Sequence, residues 1–304
     1  MTNSQPQFVV LLFYTFRKVA DPAALAAAHK AICQELGLTG RVLIAHEGVN
    51  ATLEGTPEAT AAYKAFLAND PINGDLFKGI KIKESGGTGA AFPKLSVKVR
   101  KEIVTLGAGE FDVEKETAHQ LPAAELEQWY KDGEDFVVLD LRNDYEIASG
   151  KFEKTIDPGL ANFRDLTTKL AAKDPTLEHL KDKKVLTVCT GGIRCEKATC
   201  LLKREGFTNV YQLKDGIHTY MEQYPASHFK GTLFVFDNRM TTDVVAPDVV
   251  ANKKEVIGTC MFCGTSTEHY CSDDSVRPSR KILCCPTCFE ERKDALRAVE
   301  MSHS

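Results

Sequence analysis

Cysteine, two glycines and an arginine stand together at Cys189-Thr190-Gly191-Gly192-Ile193-Arg194-Cys195, directly after the strand-like run Val185-Leu186-Thr187-Val188. A strand that ends at a thiol and turns through two glycines into a helix aims backbone N–H groups and the helix N-terminus at one sulfur. Such surroundings lower a thiol pKa from about 8.5 toward roughly 3.5–7.5, so the expected species at neutral pH is a thiolate. Arg194 closes the loop, and its planar fork suits an anion or the outer sulfur of a persulfide. Cys195 has two readings. It is a resolving thiol able to discharge a persulfide or sulfenic acid on Cys189, or a small residue at a helix start. Cys200, inside the following helix, reads as core.

A second group of thiols follows a different pattern. Cys260-Met261-Phe262-Cys263 and Cys285-Pro286-Thr287-Cys288 form two C-x2-C knuckles. Their separation of about twenty residues is that of a structural zinc site. Four thiolates close a tetrahedral shell and leave no open position, so redox catalysis is not expected there. Apparent zinc affinities of roughly 10–16 kcal/mol are enough to fold a short segment with little core. His269, Cys271 and Cys284 are surplus candidates, as a substitute ligand, as holders of a second metal, or as bystanders.

These groups need elements to hold them. Phe8 to Phe16 is β-rich, and Asp21-Pro22 supplies an N-cap and a proline at N1 for an alanine-rich helix to about Gly37. Gly40 to Gly55 reads as a strand pair broken near His46, and Thr56-Pro57 caps a helix through about Leu67. Ile80 to Lys83 and Leu95 to Val99 alternate with period two. That order predicts a small antiparallel sheet with helices on one face, the ferredoxin-like plan. From about His119 the pattern becomes helix at Leu121, buried strand at Phe136 to Asp140, buried strand at Lys184 to Cys189, helix from Cys195, and strand at Val210 to Leu213. Strands alternating with helices predict a parallel sheet covered on both faces. From Asn252 the chain is polar and cysteine-dense, and it needs a metal or partner to fold.

Composition narrows the setting. The 304 residues carry a net charge of −4, so nothing draws the whole chain to polyanions and any such partner must find a local basic surface. The apolar run Phe8 to Phe16 has no basic residue before it and is too short to cross a bilayer. Ten cysteines without a secretion signal imply a reducing cytoplasm, where thiols bind metal or do chemistry. His46-Glu47-Gly48-Val49-Asn50 is either a binding edge or a strand end with a bulge. No sequence pattern marks a two-His-one-carboxylate iron site, and Gly86-Gly87-x-Gly89 and Gly107-x-Gly109 complete no dinucleotide fingerprint. No redox cofactor is therefore assigned.

The loop Cys189 to Arg194 resembles the active loop of rhodanese domains. Asp140-Leu141-Arg142 with Asp144-Tyr145-Glu146 is similar to their first-strand signature, and Lys214-Asp215-Gly216-Ile217 with Tyr220 and Pro225 to their closing segment. By that resemblance Asp140 and Arg142 brace the loop from beneath. Gly150-Lys151-Phe152 departs from the usual Gly-His-Ile, and Asp215 stands where glycine is usual. The likeness extends from about Phe8 to Phe289 through Arg41 to Ala51, Phe92 to Lys98, Phe163-Arg164, Phe234 to Asp237 and the C-terminal cysteines. In that order these segments are similar to the rhodanese-like tRNA uridine 5-hydroxylases, the TrhO family.

The resemblance implies an α/β multidomain chain. Residues 1–112 would be a ferredoxin-like α+β domain, 113–232 a rhodanese α/β domain with a parallel sheet, and 233–304 a Cys-rich zinc segment. It further implies oxygen-dependent hydroxylation of the wobble uridine of tRNA at C5, with the anticodon loop as partner, molecular oxygen as co-substrate and Cys189 as the persulfide position. Two other readings stay open, a thiosulfate-type sulfurtransferase and a zinc-held nucleic-acid-binding module. Cys189 and Arg194 weigh against the last. Lys78, Lys81, Lys83, Lys94, Lys98, Arg100 and Lys101 read as a solvated face, or as phosphate contacts to tRNA without base specificity. The chain reaches Ser304 soon after the cysteine cluster without the longer basic tail of some members, which weakens a tail-based account of tRNA binding.

Overall fold

A computed structural model describes residues 7–242, 255–276 and 279–299. The start of the polar stretch at Asn252 and the chain end at Ser304 lie outside the described residues. The chain divides into two units. One holds the residues up to Thr105 together with Asp237–Arg239, and the other runs from Leu106 to Phe236 and on from Met240.

In the first unit, residues of strand propensity alternate with two helices whose starts are fixed by capping. The elements are β1 (Val9–Thr15), α1 (Pro22–Glu35), β2 (Thr39–Ala45), β3 (Gly48–Gly55), α2 (Pro57–Asn69), β4 (Lys83–Gly86) and β5 (Leu95–Val99). Asp21 Oδ1 accepts the N–H groups of Ala23 and Ala24 at 3.0 and 2.9 Å, and Thr56 Oγ1 accepts that of Ala59. The sheet order is β4-β1-β3-β2-β5, antiparallel except for β5 beside β2. Leu11, Phe13, Val42, Ile44, Val49, Ala51 and Leu53 point to one face and pack with Leu25, Cys33, Tyr63 and Leu67 of the helices. This is the ferredoxin-like plan, with β5 as an added fifth strand.

Two local expectations are altered. The strand read at Ile80 starts at Lys83, and Lys83 is buried with its ammonium 5.6 Å from the Tyr14 ring centroid rather than on a solvated face. The polar run at His46 is used up internally. His46 Nδ1 meets the Val19 carbonyl at 3.0 Å, Glu47 accepts the Ile103 N–H at 2.7 Å, and Asn50 donates to the Ile103 carbonyl. Those contacts make it a structural corner and leave no binding edge at these three side chains.

The second unit opens with α3 (Val113–Glu116), β6 (His119–Leu121), α4 (Ala123–Lys131), β7 (Val137–Asp140), α5 (Asp144–Ile147), β8 (Gly150–Phe152) and β9 (Thr155–Ile156). It continues with α6 (Asp165–Ala171), α7 (Pro175–Glu178), β10 (Lys184–Val188), α8 (Ile193–Arg204), β11 (Asn209–Leu213) and α9 (Gly216–Gln223). The short strands β12 (Phe229–Gly231), β13 (Leu233–Phe234) and β14 (Thr241–Thr242) follow. After them come β15 (Tyr270–Asp273), β16 (Arg280–Leu283), α10 (Pro286–Glu291) and β17 (Leu296–Ala298). A parallel five-stranded sheet, β6-β11-β10-β7-β9, is the centre. Val138, Leu186, Val188 and Leu213 from its strands pack with Leu126 and Trp129 of α4 and Ile217 and Tyr220 of α9, while α8 lies against β10 and β11. Parallel strands buried this way have to be apolar, which is why the sequence shows them as runs. The last segment folds as a separate three-stranded sheet, β16-β15-β17.

Candidate active site

Cys189 is the first residue beyond β10, at the C-terminal edge of the parallel sheet, and it is fully buried. Gly192 caps α8 at φ 98°, a left-handed conformation that glycine adopts without strain, and this turn lets its N–H reach back to Cys189 Sγ at 3.2 Å. The loop rests on the first turn of α9. Ile217 and His218 donate backbone N–H bonds at 3.0 Å to the carbonyls of Cys189 and Thr190. A Cβ at Gly216 would lie 2.6 Å from the Gly191 carbonyl carbon, so only glycine permits this approach. Asp215 takes φ 62°, a region aspartate tolerates better than most residues, so the departure from glycine at this position is accommodated.

Burial pushes the Cys189 thiol up, but donors outweigh it. The Cys195 thiol, the Arg194 charge and the backbone N–H groups of Cys195 and Arg194 together bring its pKa down to about 6. Cys189 is therefore a thiolate at neutral pH. Cys195 moves the opposite way. Burial and the neighbouring Cys189 sulfur raise it well above the ordinary thiol value, so it stays protonated as a donor. Cys200 is buried in α8 and directs its thiol to the Glu196 carbonyl at 3.1 Å, which makes it a core residue.

Arg194 is committed within the protein. Its Nη1 and Nη2 donate to the two carboxylate oxygens of Glu146 at 2.6 and 2.8 Å, and Nη2 also approaches Thr190 Oγ1 at 3.4 Å. The fork read as an anion holder thus has a resident anion. Glu146 is fully buried and also accepts the Asn143 N–H at 2.9 Å, closing a capping box on α5. Beneath it, Arg142 binds Asp140 through Nε and Nη2 and donates to the Gly150 carbonyl at 2.7 Å. Charge at the loop is thereby balanced pair by pair. Glu146 is the functional residue that sequence reasoning left without a role, although Asn143-x-x-Glu146 has capping-box spacing and a buried arginine demands a carboxylate.

Three family models match successive, partly overlapping stretches of the chain. A UPF0176 acylphosphatase like domain matches residues 8–103, a rhodanese-like domain 122–249 and a rhodanase C-terminal domain 230–299. The tRNA uridine(34) hydroxylase of Cytophaga hutchinsonii is 38% identical, covering 95% of this chain and 88% of that protein. Those of Staphylococcus carnosus and Bacillus cereus are 36% and 38% identical over 94% and 93% of this chain, and 90% and 86% of theirs. The chain belongs to the tRNA uridine(34) hydroxylase family.

In this tRNA uridine(34) hydroxylase relative the knuckle cysteines also converge. The sulfurs of Cys260, Cys263, Cys285 and Cys288 all lie within 4.8 Å of one another, with Cys263 and Cys285 at 3.6 Å. Four thiolates around zinc at 2.3 Å would stand about 3.8 Å apart, so the donor set fits that ion. Burial pushes the Cys260 thiol up, yet the N–H groups of Cys285, Cys263 and Phe262 bring it down to about 6. The surplus residues fall outside the four. His269 Nδ1 bonds the Cys284 carbonyl at 2.8 Å, and Cys271 and Cys284 are buried beside the cluster. Among the described residues no helix is long and apolar enough to cross a membrane.

Proposed function

We propose that this protein hydroxylates the wobble uridine of tRNA at C5, with dioxygen as the source of the new hydroxyl and with Cys189 as the thiolate that becomes a persulfide by taking the sulfane sulfur of a donor persulfide, whose own sulfur leaves as the thiolate. The observation that carries this reading is likeness along nearly the whole chain to proteins named tRNA uridine(34) hydroxylase, combined with one low-pKa thiol at the end of a parallel strand. Replacing hydrogen by hydroxyl at C5 oxidises the base by two electrons, and because dioxygen takes up four, its second oxygen leaves as water with two electrons from an external two-electron reductant. Cys189 supplies a nucleophilic sulfur to that site. Cys195 holds the thiolate by hydrogen bonding and does not resolve it, because its own proton is retained. Arg194 contributes a fixed positive charge, and Glu146 orients it. Asp140 and Arg142 brace the loop.

The substrate contact would be the anticodon loop, and the location the cytoplasm, in keeping with reduced thiols throughout. Zinc on Cys260, Cys263, Cys285 and Cys288 would hold the last segment folded, and it takes no part in the reaction. The chain would then work as a ferredoxin-like part to residue 112, a rhodanese part from 113 to 232 and a metal-held part from 233. A sulfurtransferase is the second reading, and the thiolate cradle favours it. Against it, a thiosulfate dianion would approach an arginine already paired with a carboxylate.

Deleting the gene and analysing tRNA hydrolysates by mass spectrometry tests the main reading. 5-Hydroxyuridine and its derivatives should disappear, return with the wild-type gene and stay absent with Cys189→Ala. Persistence of the mark in the deletion strain, with no parallel pathway present, would refute the hydroxylase reading. Full rescue by Cys189→Ala would refute the role of the thiol.

A further inference from the structure

The first unit has a cleft that none of the foregoing chemistry uses. It measures about 390 Å³ and is lined by Arg17, Lys18, Asn73, Asp75, Leu76 and Lys78. Arg17 and Lys18 lie in the loop between β1 and α1, and the other four follow α2. Three cations face it against a single carboxylate. Lys78 stands 3.8 Å from Asp75 with both side chains exposed, a separation and exposure that leave the pair weak. Neither Arg17 nor Lys18 has a carboxylate partner among the described residues.

Arg17 is held in a particular way. Its Nη1 alone donates to the carbonyls of Asp75, Leu76 and Lys78, at 2.8, 3.1 and 2.7 Å. Those bonds fix the plane of the guanidinium through one nitrogen. The opposite edge, Nε and Nη2, carries three N–H groups that make no bond among the described residues. That edge is the one that grips a tetrahedral oxyanion with two parallel bonds. The floor adds no competing charge. Buried Asn73 is spent on His29 Nε2 at 3.2 Å and on the Phe66 carbonyl, and burial drives the His29 pKa down to about 4, so the imidazole is neutral. A brace for the 75–78 turn would need only Nη1. It would not need two further lysines or an open guanidinium edge.

We propose that this cleft is a phosphate-binding site, with Arg17 as the bidentate anchor and Lys18 and Lys78 as flanking charges. On the hydroxylase reading its natural occupant is a backbone phosphodiester of the tRNA, gripped away from the reacting base. A free phosphate or phosphomonoester has the same chemistry at the protein, so the test separates these sources. Nothing in the site reads a base, so its contribution is positioning and salt-dependent affinity.

The experiment uses the full chain and two probes, inorganic phosphate by calorimetry at low ionic strength and unmodified tRNA by fluorescence anisotropy across a salt series. Lys18→Gln with Lys78→Gln removes charge from exposed positions and leaves the Arg17 anchor in place, and Arg17→Lys keeps charge but removes the fork. Wild type should bind phosphate, and the double variant should bind it roughly five- to tenfold more weakly at unchanged Tm. Its tRNA affinity should fall in parallel, with a log–log salt slope shallower by about two. Weaker phosphate binding with unaltered tRNA binding would keep the site and overturn tRNA as its occupant. No phosphate binding by wild type, or binding as tight as wild type by both variants, would overturn the site. Both readouts are free of turnover, so failure of the hydroxylase reading would leave them standing.

Discussion

At Cys189 one buried thiol collects donors from Gly192, Arg194 and Cys195, whereas at Cys260, Cys263, Cys285 and Cys288 four thiols face one another. Both places lower a cysteine pKa to about 6 against burial, and both draw on backbone N–H groups near a helix start. The difference lies in what the sulfur is left to meet. Cys189 has a protonated thiol beside it and an arginine already neutralised by Glu146, so its sulfur is held by hydrogen bonds and charge with no covalent or metal partner. The four knuckle thiols are placed to share one cation, the zinc proposed above. A reactive thiolate thus needs neighbours that stabilise it without bonding it covalently, and a structural one needs neighbours that saturate it.

The largest effect expected from breaking this contrast is at the metal. Cys285→Ser removes one of the four ligands of the proposed zinc, whose whole-site affinity is on the order of 10–16 kcal/mol, and should lower zinc content and expose β15 to β17 to protease. Elemental analysis and limited proteolysis read this out, and undiminished zinc would count against the ligand set. The pH midpoint for alkylating Cys189 should stay near 6 in that variant. Conversely, Cys189→Ser should leave zinc content intact while cutting uridine hydroxylation by on the order of a thousandfold, measured as product per tRNA in single-turnover assays.

Smaller changes probe the support of the reactive sulfur. Glu146→Ala strands the Arg194 charge in the interior, and urea unfolding should show a loss of about 3–5 kcal/mol. Cys195→Ala removes a donor from the thiolate and should raise the Cys189 alkylation midpoint by about one unit, near 1.4 kcal/mol. Unchanged alkylation would instead place the acidity on Arg194 and the backbone. The sign of the pH dependence follows from the depressed pKa. Thiolate stabilisation is complete above the unfolded thiol value of about 8.5 and is lost as pH falls through about 6. Wild type should therefore lose stability relative to Cys189→Ser across that window, a difference that urea titrations at several pH values measure.

The parts of this molecule readable in advance are those whose cause is local. The run into Cys189, the glycine turn and the helix after it are contiguous, and so are Asp21-Pro22 and Thr56-Pro57 at their helix starts. C-x2-C spacing likewise places each pair of sulfurs within one turn. Tertiary pairing was not visible. Glu146 reaches Arg194 across 48 positions, and nothing at either end of the sequence declares the other. β5 lies parallel to β2 although its alternation is equally consistent with an antiparallel edge. Lys83 looked solvent-facing because period-two spacing reports a strand and not what covers it. Asn50 and Glu47 resembled a binding edge until Ile103 supplied their partners.

One member of the sulfur tetrad differs from the rest. Cys263 is exposed while Cys260, Cys285 and Cys288 are buried. Exchange of the proposed zinc would then be a matter of kinetics with a direction, beginning where solvent meets the Cys263 sulfur. A chelator or an electrophile would attack from that side first, and the remaining three thiolates would hold a partly open intermediate. The lifetime of the folded C-terminal segment would be set by how fast one outward-facing bond opens, whatever the equilibrium affinity of the whole site.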